Sequence, residues 1–594
     1  MIPGLSRLVL LLCIASHPAI AEPTGIRVPG KGFLPFLRQP VPGIPAARRM
    51  ALGAGQDFPK KLALVTHSRY IDQLPSLDGF IAAKQARGFE AVVLTEQDWN
   101  PESHVGDEAA DTLRAWLAAN HEAEGIGYVL LAGHPDPHHG LVPMKMTWGL
   151  KYLCEDSGDP IWCDLQAVPT DAYFSDLDGN WDLDGDGYFA EYPDDTGAGG
   201  VNFEPEVLVG RFPVHHDPVF LDAYLAITAQ YENASAAGQL HGRNRVLLPA
   251  AMLGFRGLSP GMPTEDGAHS LDKIGENLAS ISNDLVFTRM FEAEGFRPSF
   301  LAGDYALNRE HLINAFRYGH GLTVWYAHGY PTYTGRMVWD EDRDSDGQCD
   351  FDEYRDPAML LSFDTSQFQD AHCRTFTWQI SCQNGYPEVE YNMGAMMLLY
   401  GAVGAIVASR SALGEDATGP AWSPEPSLAC SESVAHTWSA NLASGMTNGE
   451  ALAMARVANP SDGWDEVYPP DLVGASYMGL GLHTKLVYNL YGDPSLRWVF
   501  EAGEHDPDWP WTDAEPTEPE TAPEADADAA DGRAADADGE VEADWTGCPT
   551  CQDTSCPDHT RCGAARSGSG MLGLLLLGLL AGLRRKVRRK VPAV

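Results

Sequence analysis

The sequence predicts an α/β fold of two side-by-side subdomains, each a mostly parallel sheet flanked by helices. Apolar segments of strand length alternate with helix-like segments, which is the pattern that parallel sheets produce. The alternation begins twice, near residue 61 and near residue 246. With 594 residues, the chain is long enough for one large domain or two ordinary ones. We therefore expect the two subdomains to divide near residue 240.

The first alternation predicts the subdomain of residues 61–240. Its strand-like segments are residues 61–66, 91–95 and 127–132, and its helix-like segments are residues 74–87 and 109–123. Gly88 follows the first helix-like segment, and glycine is a common stop signal there. Strand, helix and strand in this order predict parallel pairing of the strands.

The second alternation predicts the subdomain of residues 241–498. Its strand-like segments begin near residue 246 and include residues 322–327, 376–381 and 402–408, and its helix-like segments are residues 267–278 and 393–400. His328 follows one of these strands and Cys382 follows another. The carboxyl ends of strands in an open α/β sheet are where such folds place their chemistry. A thiol and an imidazole are thus expected at the ends of neighbouring strands.

The first 60 residues predict an export signal and a short arm. Arg7 precedes the apolar run of residues 8–15, and Ala19 and Ala21 supply the small residues of a cleavage site. Residues 1–21 are therefore predicted to be a secretory signal peptide cut after Ala21. The alternative is an N-terminal helix of the domain, but the charged, apolar and small residues come in signal order. Residues 22–60, rich in Pro and Gly, are predicted to be a short pro-segment or an extended arm.

The formal net charge of −43 lies partly in one segment near the C-terminus. Residues 499–547 are dense in Glu, Asp, Ala and Pro. Such a segment buries too little apolar surface to offset its chain entropy, so a disordered acidic linker is predicted. The rest of the chain is also acidic. Nucleic acid and anionic membrane surfaces are therefore not expected as partners.

Residues 548–594 predict a sorting tail. Four cysteines, Cys548, Cys551, Cys556 and Cys562, precede the apolar residues 571–583 and a basic cluster. The apolar run is shorter than the roughly 20 residues that a spanning helix needs. This order of elements resembles the MYXO-CTERM tail of myxobacterial surface proteins. The resemblance implies processing near Cys562 by a sorting protease and display on, or release from, the cell surface (outer membrane), with membrane contact only through the tail. Cys548 and Cys551 could instead be half of a zinc site, although no second pair has the expected spacing.

Cys382 and His328 fit the chemistry of a cysteine peptidase. A thiolate attacks a carbonyl carbon, and a nearby imidazole can lower the pKa of the thiol and then protonate the leaving amine. The main-chain N–H groups of Gly329 and Cys382 are the expected oxyanion donors, because Gly329 has no side chain that would keep the substrate away. The alternative for Cys382 is a buried or disulfide-bonded residue, and the alternative for the His-Gly pair is a turn.

The segments around these two residues resemble a known family. Residues 326–329, Tyr-Ala-His-Gly, and residues 382–385, Cys-Gln-Asn-Gly, resemble the His-Gly and Cys-x-Asn-Gly signatures of gingipain-like peptidases, family C25 of the caspase-like clan. Shorter matches follow in the family's order at residues 128–133, 176–182, 209–214, 405–409 and 489–496. The resemblance covers residues 61–498. It implies caspase-like subdomains and endopeptidase activity on protein or peptide substrates, with Cys382 as nucleophile and His328 as general base and acid.

Two features depart from the family pattern. The family orients its histidine with an acidic residue after an earlier strand, whereas residues 246–253 contain no carboxylate, so the third catalytic group stays unassigned. The interval between His328 and Cys382 also carries an acidic insertion. Glu265 and Asp266 could line a pocket for a basic residue of the substrate, and the alternative for both is an exposed loop acid.

Two acidic loops match a calcium-binding template, in which acids occupy positions 1, 3 and 5, glycine position 6 and glutamate position 12. Alternating oxygen ligands on a tight glycine turn suit a hard cation. The predicted ligands are Asp342, Asp344, Asp346, Asp350 and Glu353 in one loop, and Asn180, Asp182, Asp184, Asp186 and Glu191 in the other, extended by Asp176 and Asp178. We therefore expect structural Ca²⁺ and no organic cofactor. The alternative for each loop is a solvated acidic turn.

Cysteine spacing predicts two disulfides of the kind found in exported proteins. Cys154 pairs with Cys163 in this prediction, and Cys349 pairs with Cys373, which would brace the chain between His328 and Cys382. Cys382 is then left as a free thiol.

The predicted function is a secreted or surface-displayed, calcium-stabilised cysteine endopeptidase. The competing class is a non-catalytic calcium-binding surface or adhesion protein that retains the fold, and the missing acidic residue favours it. A third possibility is an enzyme that cleaves only its own pro-segment.

Overall fold

The computed structural model describes residues 58–151, 166–258, 264–369, 371, 373–414, 430–459 and 479–501, and the backbone of two short strands within residues 25–35. The predicted signal peptide with Ala21, the cysteines Cys154 and Cys163, nearly all of the acidic linker and the tail with Cys562 lie outside the described residues. Within the described residues, every helix is too short or too polar to cross a membrane.

The strands of the described residues are β1 (Gly25–Val28), β2 (Gly32–Pro35), β3 (Lys61–Val65), β4 (Glu90–Leu94), β5 (Tyr128–Gly133), β6 (Lys145–Thr147), β7 (Val168–Thr170), β8 (Leu208–Pro213), β9 (Arg245–Ala250), β10 (Met252–Gly254), β11 (Glu265–Asp266), β12 (Val286–Phe291), β13 (Tyr305–Ala306), β14 (Leu322–Tyr326), β15 (His328–Tyr330), β16 (Tyr333–Gly335), β17 (Val338–Trp339), β18 (Tyr354–Arg355), β19 (Ala358–Leu361), β20 (Thr375–Ile380), β21 (Ala402–Ala408) and β22 (Tyr488–Gly492).

The α-helices are α1 (Ser68–Ile71), α2 (Leu77–Ala86), α3 (Glu96–Trp99), α4 (Asp107–Glu124), α5 (Pro218–Ala236), α6 (Ala268–Ile281), α7 (Arg309–Tyr318), α8 (Met393–Tyr400), α9 (Ser431–Ala443), α10 (Asn448–Ala458) and α11 (Leu480–Val487). Local sequence sets several of their ends. Pro218 opens α5 behind Asp217, whose side chain accepts from the Val219 N–H at 2.9 Å. Gly125, with φ of 66°, ends α4 in the left-handed conformation that glycine favours.

Eleven strands of the described residues form one sheet, in the order β13-β12-β9-β14-β20-β21-β22-β8-β5-β3-β4. The neighbours from β13 to β21 pair in parallel, as do β8, β5, β3 and β4. Strand β22 runs antiparallel to β21. The predicted α/β fold with a mostly parallel sheet flanked by helices is confirmed. Strands from both halves of the chain belong to this one continuous sheet.

Helices cover both faces of the sheet where β14 and β20 pair. All residues of these two strands are buried. Val324 pairs with Trp378, so Trp325 and Trp378 project to opposite faces of the pleated sheet. Trp325 packs against Phe316 of α7, and Trp378 packs against Trp438 of α9. Such burial on both faces explains the continuous apolar runs of the sequence.

The predicted disulfide between Cys349 and Cys373 is wrong, because both residues are free thiols. Cys349 is buried in an apolar cluster beyond the carboxyl end of β9, and its N–H donates to the Arg256 carbonyl at 2.7 Å. Cys373 lies at the amino end of β20, beside Gly319. A strand of six residues separates the two ends of the sheet by about 20 Å, far beyond the reach of a disulfide.

Candidate active site

The register between β14 and β20 places His328 and Cys382 at the same edge of the sheet. Tyr326 pairs with Ile380, and the Ala327 N–H donates to the Ile380 carbonyl at 3.1 Å. His328 and Cys382 each follow this pair by two residues. Neighbouring strands of a sheet lie about 5 Å apart, so His328 and Cys382 stand side by side at the ends of β14 and β20.

Gly329 lies directly against the main chain of Cys382. A β-carbon at position 329 would sit 2.2 Å from the Cys382 carbonyl oxygen and 2.8 Å from the Cys382 nitrogen. Only glycine allows this approach. The two residues predicted to supply oxyanion donors are thus in main-chain contact.

The His328 imidazole is oriented by a main-chain carbonyl. Its Nε2 lies 2.7 Å from the carbonyl oxygen of Leu253 in β10. A carbonyl only accepts hydrogen bonds, so Nε2 carries the proton and Nδ1 keeps its lone pair. The segment that holds no carboxylate in the sequence therefore provides the orienting group through its backbone.

Burial lowers the pKa of His328 below its usual value. The hydrogen bond to Leu253 and the negative charge of Asp356 act in the opposite direction. The net effect favours a neutral imidazole, which is the form that accepts a proton from a thiol.

The chain turns sharply at Cys382. Gln383 has a positive φ of 57°, and its N–H donates to the Arg410 carbonyl at 2.9 Å. The preceding Ser381 accepts a hydrogen bond from the Trp325 indole at 3.0 Å. The Cys382 sulfur lies 3.6 Å from the carbonyl oxygen of Ala412. A left-handed residue beside a reactive group is a strained conformation that the surroundings must hold in place.

Asn384 connects the two segments that carry His328 and Cys382. Its side chain is fully buried, and Nδ2 lies 2.8 Å from the Tyr330 carbonyl oxygen and 3.4 Å from that of Tyr333. Tyr330 and Tyr333 pair across the β15–β16 hairpin that begins with His328. Asn384 therefore fixes the position of this hairpin relative to the turn at Cys382.

Glu265 and Asp266 are not exposed loop acids. They form β11 and are 3% and 1% exposed. Asp266 accepts hydrogen bonds from the Ala268 N–H, the Ser299 hydroxyl and the Phe300 N–H, at 2.9, 2.7 and 2.7 Å. Its carboxylate thus holds together the start of α6 and the loop around residue 300.

In the acidic loop between β17 and β18, the carboxylate oxygens of Asp342, Asp344 and Glu353 lie within 4.8 Å of one another. Oδ1 of Asp342 is buried and has no hydrogen-bond partner among the described residues. Gly347 has a φ of 74°, and its N–H donates to Asp342 Oδ2 at 3.1 Å. This donor set fits a hard cation such as Ca²⁺. The other two predicted ligands, Asp346 and Asp350, lie outside this group of three.

The second acidic loop contains three groups of carboxylates, two of which share Asp184. Carboxylates converge in three sets: Asp182, Asp184 and Asp186; Asp184, Glu191 and Asp194; and Asp176, Asp178 and Glu206. The Lys151 ammonium lies 3.1 Å from Asp186 and 2.9 Å from Glu191, so it already offsets part of the negative charge. Asp176 accepts from the main-chain N–H groups of Gly179, Asn202 and Phe203. The Lys151 ammonium and these main-chain N–H groups therefore already stabilise part of the loop.

Sequence reasoning missed the Leu253 carbonyl, because a main-chain acceptor has no residue-type signature. It also missed Arg410, which is 8% exposed, pairs with Glu388 at 2.5 and 3.0 Å, and stacks on Tyr386. This pair connects the end of β21 to the segment after Cys382. An Arg and a Glu so far apart in sequence give no pairing signal.

Comparison with known proteins adds a family match. Residues 56–499 match the model of a family described as peptidase family C25. No curated protein matches the chain. Among solved structures, the Arg-specific cysteine proteinase gingipain R matches with a TM-score of 0.47 and 14% identity, over 75% of this chain and 79% of that one.

Two further solved structures are similar. The complex of the Porphyromonas gingivalis RgpB pro- and mature domains matches with a TM-score of 0.45 and 14% identity, over 74% of this chain and 79% of that one. A structure described only as a protease matches with a TM-score of 0.44 and 12% identity, over 75% and 81% of the two chains.

Proposed function

The chain belongs to peptidase family C25, and from this premise we propose that Cys382 and His328 form the catalytic dyad of a cysteine-type endopeptidase. The observation that carries the proposal is the β14–β20 register, which brings the imidazole and the thiol to one edge of the sheet with Gly329 against the Cys382 main chain. The substrates of such an enzyme are proteins or peptides.

The proposed reaction follows from the tautomer of His328. Nδ1 takes the thiol proton of Cys382 as the sulfur attacks the carbonyl carbon of the scissile bond. The same proton then passes to the leaving amine as the C–N bond breaks, which leaves a thioester. Water, deprotonated by Nδ1, attacks the thioester and restores the thiol. Main-chain N–H groups of Gly329 and Cys382 are proposed to stabilise the negative charge on the substrate oxygen.

The Leu253 carbonyl supports catalysis without a third acidic residue. An orienting group must fix the ring and the tautomer, and a carbonyl oxygen at 2.7 Å from Nε2 can do both. The sequence argument for a non-catalytic protein depended on the missing carboxylate. The main-chain acceptor at Nε2 of His328 supports the catalytic alternative instead.

We further propose that Ca²⁺ binds the loop of Asp342, Asp344 and Glu353. The buried Asp342 Oδ1 without a hydrogen-bond partner supports this proposal, because an unpaired buried carboxylate oxygen is costly unless a cation neutralises it. When bound, Ca²⁺ would supply charge neutralisation to the loop. Asp342, Asp344 and Glu353 would hold the ion in the loop between β17 and β18.

Export and surface display remain proposals that depend on the chain ends. The signal-like residues 1–21 and the tail of residues 548–594 support them. Intact-mass measurement on protein from the native host tests the tail: we expect the mature form to lack the segment after about Cys562, and Cys562→Ser to leave the tail uncut. A mature protein that ends at Val594 would refute the sorting tail.

The dyad is tested by peptide-library cleavage with the purified protein. Cys382→Ala and His328→Ala should each abolish nearly all cleavage, because catalytic partners act as a unit. Cys373→Ala is the matched control, since Cys373 is a free thiol at the opposite end of β20 and should leave cleavage unchanged. Full activity in folded Cys382→Ala protein would reject the mechanism.

A further inference from the structure

Exposed aromatic side chains gather beside the proposed dyad. Tyr330, Phe363 and Tyr391 are 53%, 62% and 42% exposed. The ring of Tyr391 lies 6.0 Å from that of Phe363 and 6.3 Å from that of Phe220. We refer to Phe220, Tyr330, Phe363 and Tyr391 as the aromatic patch. Soluble proteins rarely expose several neighbouring aromatic rings unless the surface binds something.

Main-chain hydrogen bonds tie the patch to the turn after His328. The Met393 N–H donates to the Pro331 carbonyl at 2.6 Å, and the Ser362 N–H donates to the Thr332 carbonyl at 2.9 Å. Met393 follows Tyr391 by two residues, and Ser362 precedes Phe363. The segments that carry the three exposed rings therefore meet at one turn, which begins two residues after His328.

A pocket adjoins the patch. Phe220 and Tyr391 belong to its wall, together with Tyr224, Met396 and Leu399, and the polar groups of His215 and Glu390 also line it. His215 is 4% exposed, and its Nε2 has no hydrogen-bond partner among the described residues. The pocket is small, with room for about one water molecule, so it extends the apolar surface of the patch and does not itself take a side chain.

We propose that the aromatic patch, beside this small pocket, forms an extended subsite that binds apolar side chains of the peptide substrate, away from the scissile bond. The proposal rests on the dyad assignment above. The patch is continuous with the dyad, because Tyr330 lies on the segment that carries His328 and Tyr391 lies on the segment that carries Cys382. A peptide bound across the dyad therefore extends onto the patch.

The polar groups that line the pocket are compatible with a bound peptide. Glu390 offers a carboxylate to a main-chain N–H or a cationic side chain, and the buried His215 is held neutral, with its pKa lowered to about 3 mainly by desolvation. The pocket is thus apolar with one negative group at its wall.

A binding measurement on the full chain carrying Cys382→Ala tests the subsite. The probe is a fluorescein-labelled 12-residue peptide with Leu and Phe side chains, compared with the same peptide carrying Ser in their place. Tyr391→Ala and Phe363→Ala should each raise the Kd for the apolar peptide about tenfold, because each removes an aromatic contact of the kind that dominates binding energy. Tyr391→Phe, which retains the ring, should stay within about twofold of the parent Kd.

Phe296→Ala is the matched control, since Phe296 is 51% exposed and lies outside the patch. It should leave the Kd unchanged.

Equal Kd values for the parent and Tyr391→Ala, or equal affinity for the two peptides, would overturn the subsite. So would a change in oligomeric state in the Tyr391→Ala protein, measured by light scattering, because it would show that the patch joins two copies of the chain. Because the readout is binding to inactivated protein, failure of the dyad assignment, seen as wild-type protein that cleaves no peptide, is a separate result.

Discussion

The Nε2 atom of His328 and the carbonyl oxygen of Leu253 form a 2.7 Å hydrogen bond that sets the tautomer of the proposed catalytic base. A neutral carbonyl orients the ring but supplies less stabilisation to an imidazolium than a carboxylate does. Burial outweighs this hydrogen bond and lowers the pKa of His328, which favours the neutral ring.

The contact between Gly329 and Cys382 predicts that Gly329→Ala inactivates the enzyme. The added methyl group would lie 2.2 Å from the Cys382 carbonyl oxygen, so the two segments must separate. A displacement of about 1 Å at a reacting group costs about 100-fold in rate, and we expect kcat/KM to fall by at least that factor. Gly79→Ala is the control: it has open space in α2 and should increase the free energy of unfolding by roughly 0.5–1 kcal/mol with unchanged kinetics. Gly329→Ala protein with wild-type kcat/KM would contradict the close packing of the two segments.

The bridge from Asn384 to Tyr330 predicts that Asn384→Ala lowers kcat more than it changes KM. The substitution frees the β15–β16 hairpin and leaves the Tyr330 carbonyl without this donor, which also costs about 1–3 kcal/mol of stability. Asn459→Ala is the control, because Asn459 is equally buried and, among the described residues, its Nδ2 bonds to the Ala455 carbonyl of the helix that it ends. Steady-state kinetics measure kcat and KM of both variants, and urea unfolding measures their stability. If both variants lose stability but neither loses kcat, Asn384 is a structural residue and not a positioning one.

The acidic loop predicts that Ca²⁺ stabilises the protein. A ligand that binds only the folded state at 100 times its Kd adds about 2.7 kcal/mol. Adding Ca²⁺ to chelator-treated protein should therefore raise the Tm, and Asp342→Asn combined with Asp344→Asn should remove most of that rise. Asp182→Asn in the other loop, where Lys151 already pairs with Asp186 and Glu191, should remove less. Identical melting curves with and without Ca²⁺, and no metal by elemental analysis, would refute the calcium site.

Buried histidines predict that stability falls on acidification. Desolvation lowers the pKa of His320 to about 3 and that of His483 to about 4, whereas the unfolded chain titrates near 6.5. Between pH 6.5 and about 4 the unfolded state binds protons that the folded state does not, so each histidine costs about 1.4 kcal/mol per pH unit as the pH drops. Urea unfolding at pH 7.5, 6.5 and 5.5 measures the slope. His320→Gln should reduce it, and the exposed His138→Gln should not; equal slopes for the two variants would show that His320 is not responsible.

Local sequence predicted much of the fold because its signals are local. The alternation of strands and helices over residues 61–132, the strands before His328 and Cys382, and the helix and strand of residues 393–408 all correspond to observed elements. The apolar runs carry this information, since β14 and β20 are buried along their whole length. The prediction of the Cys349–Cys373 disulfide was wrong because spacing along the chain does not determine at which edge of a sheet a cysteine lies.

By itself, the sequence predicted the two residues of the proposed dyad, the glycine beside the histidine and the acidic loop that gathers Asp342, Asp344 and Glu353. Each of these depends on residue type at short spacing. Only the tertiary structure decided that a Leu253 carbonyl faces His328, that Asn384 bridges to Tyr330, and that Tyr391 meets Phe363 and Phe220. Main-chain acceptors are identical at every position, and contacts between distant segments depend on strand order, so neither has a signature in the sequence.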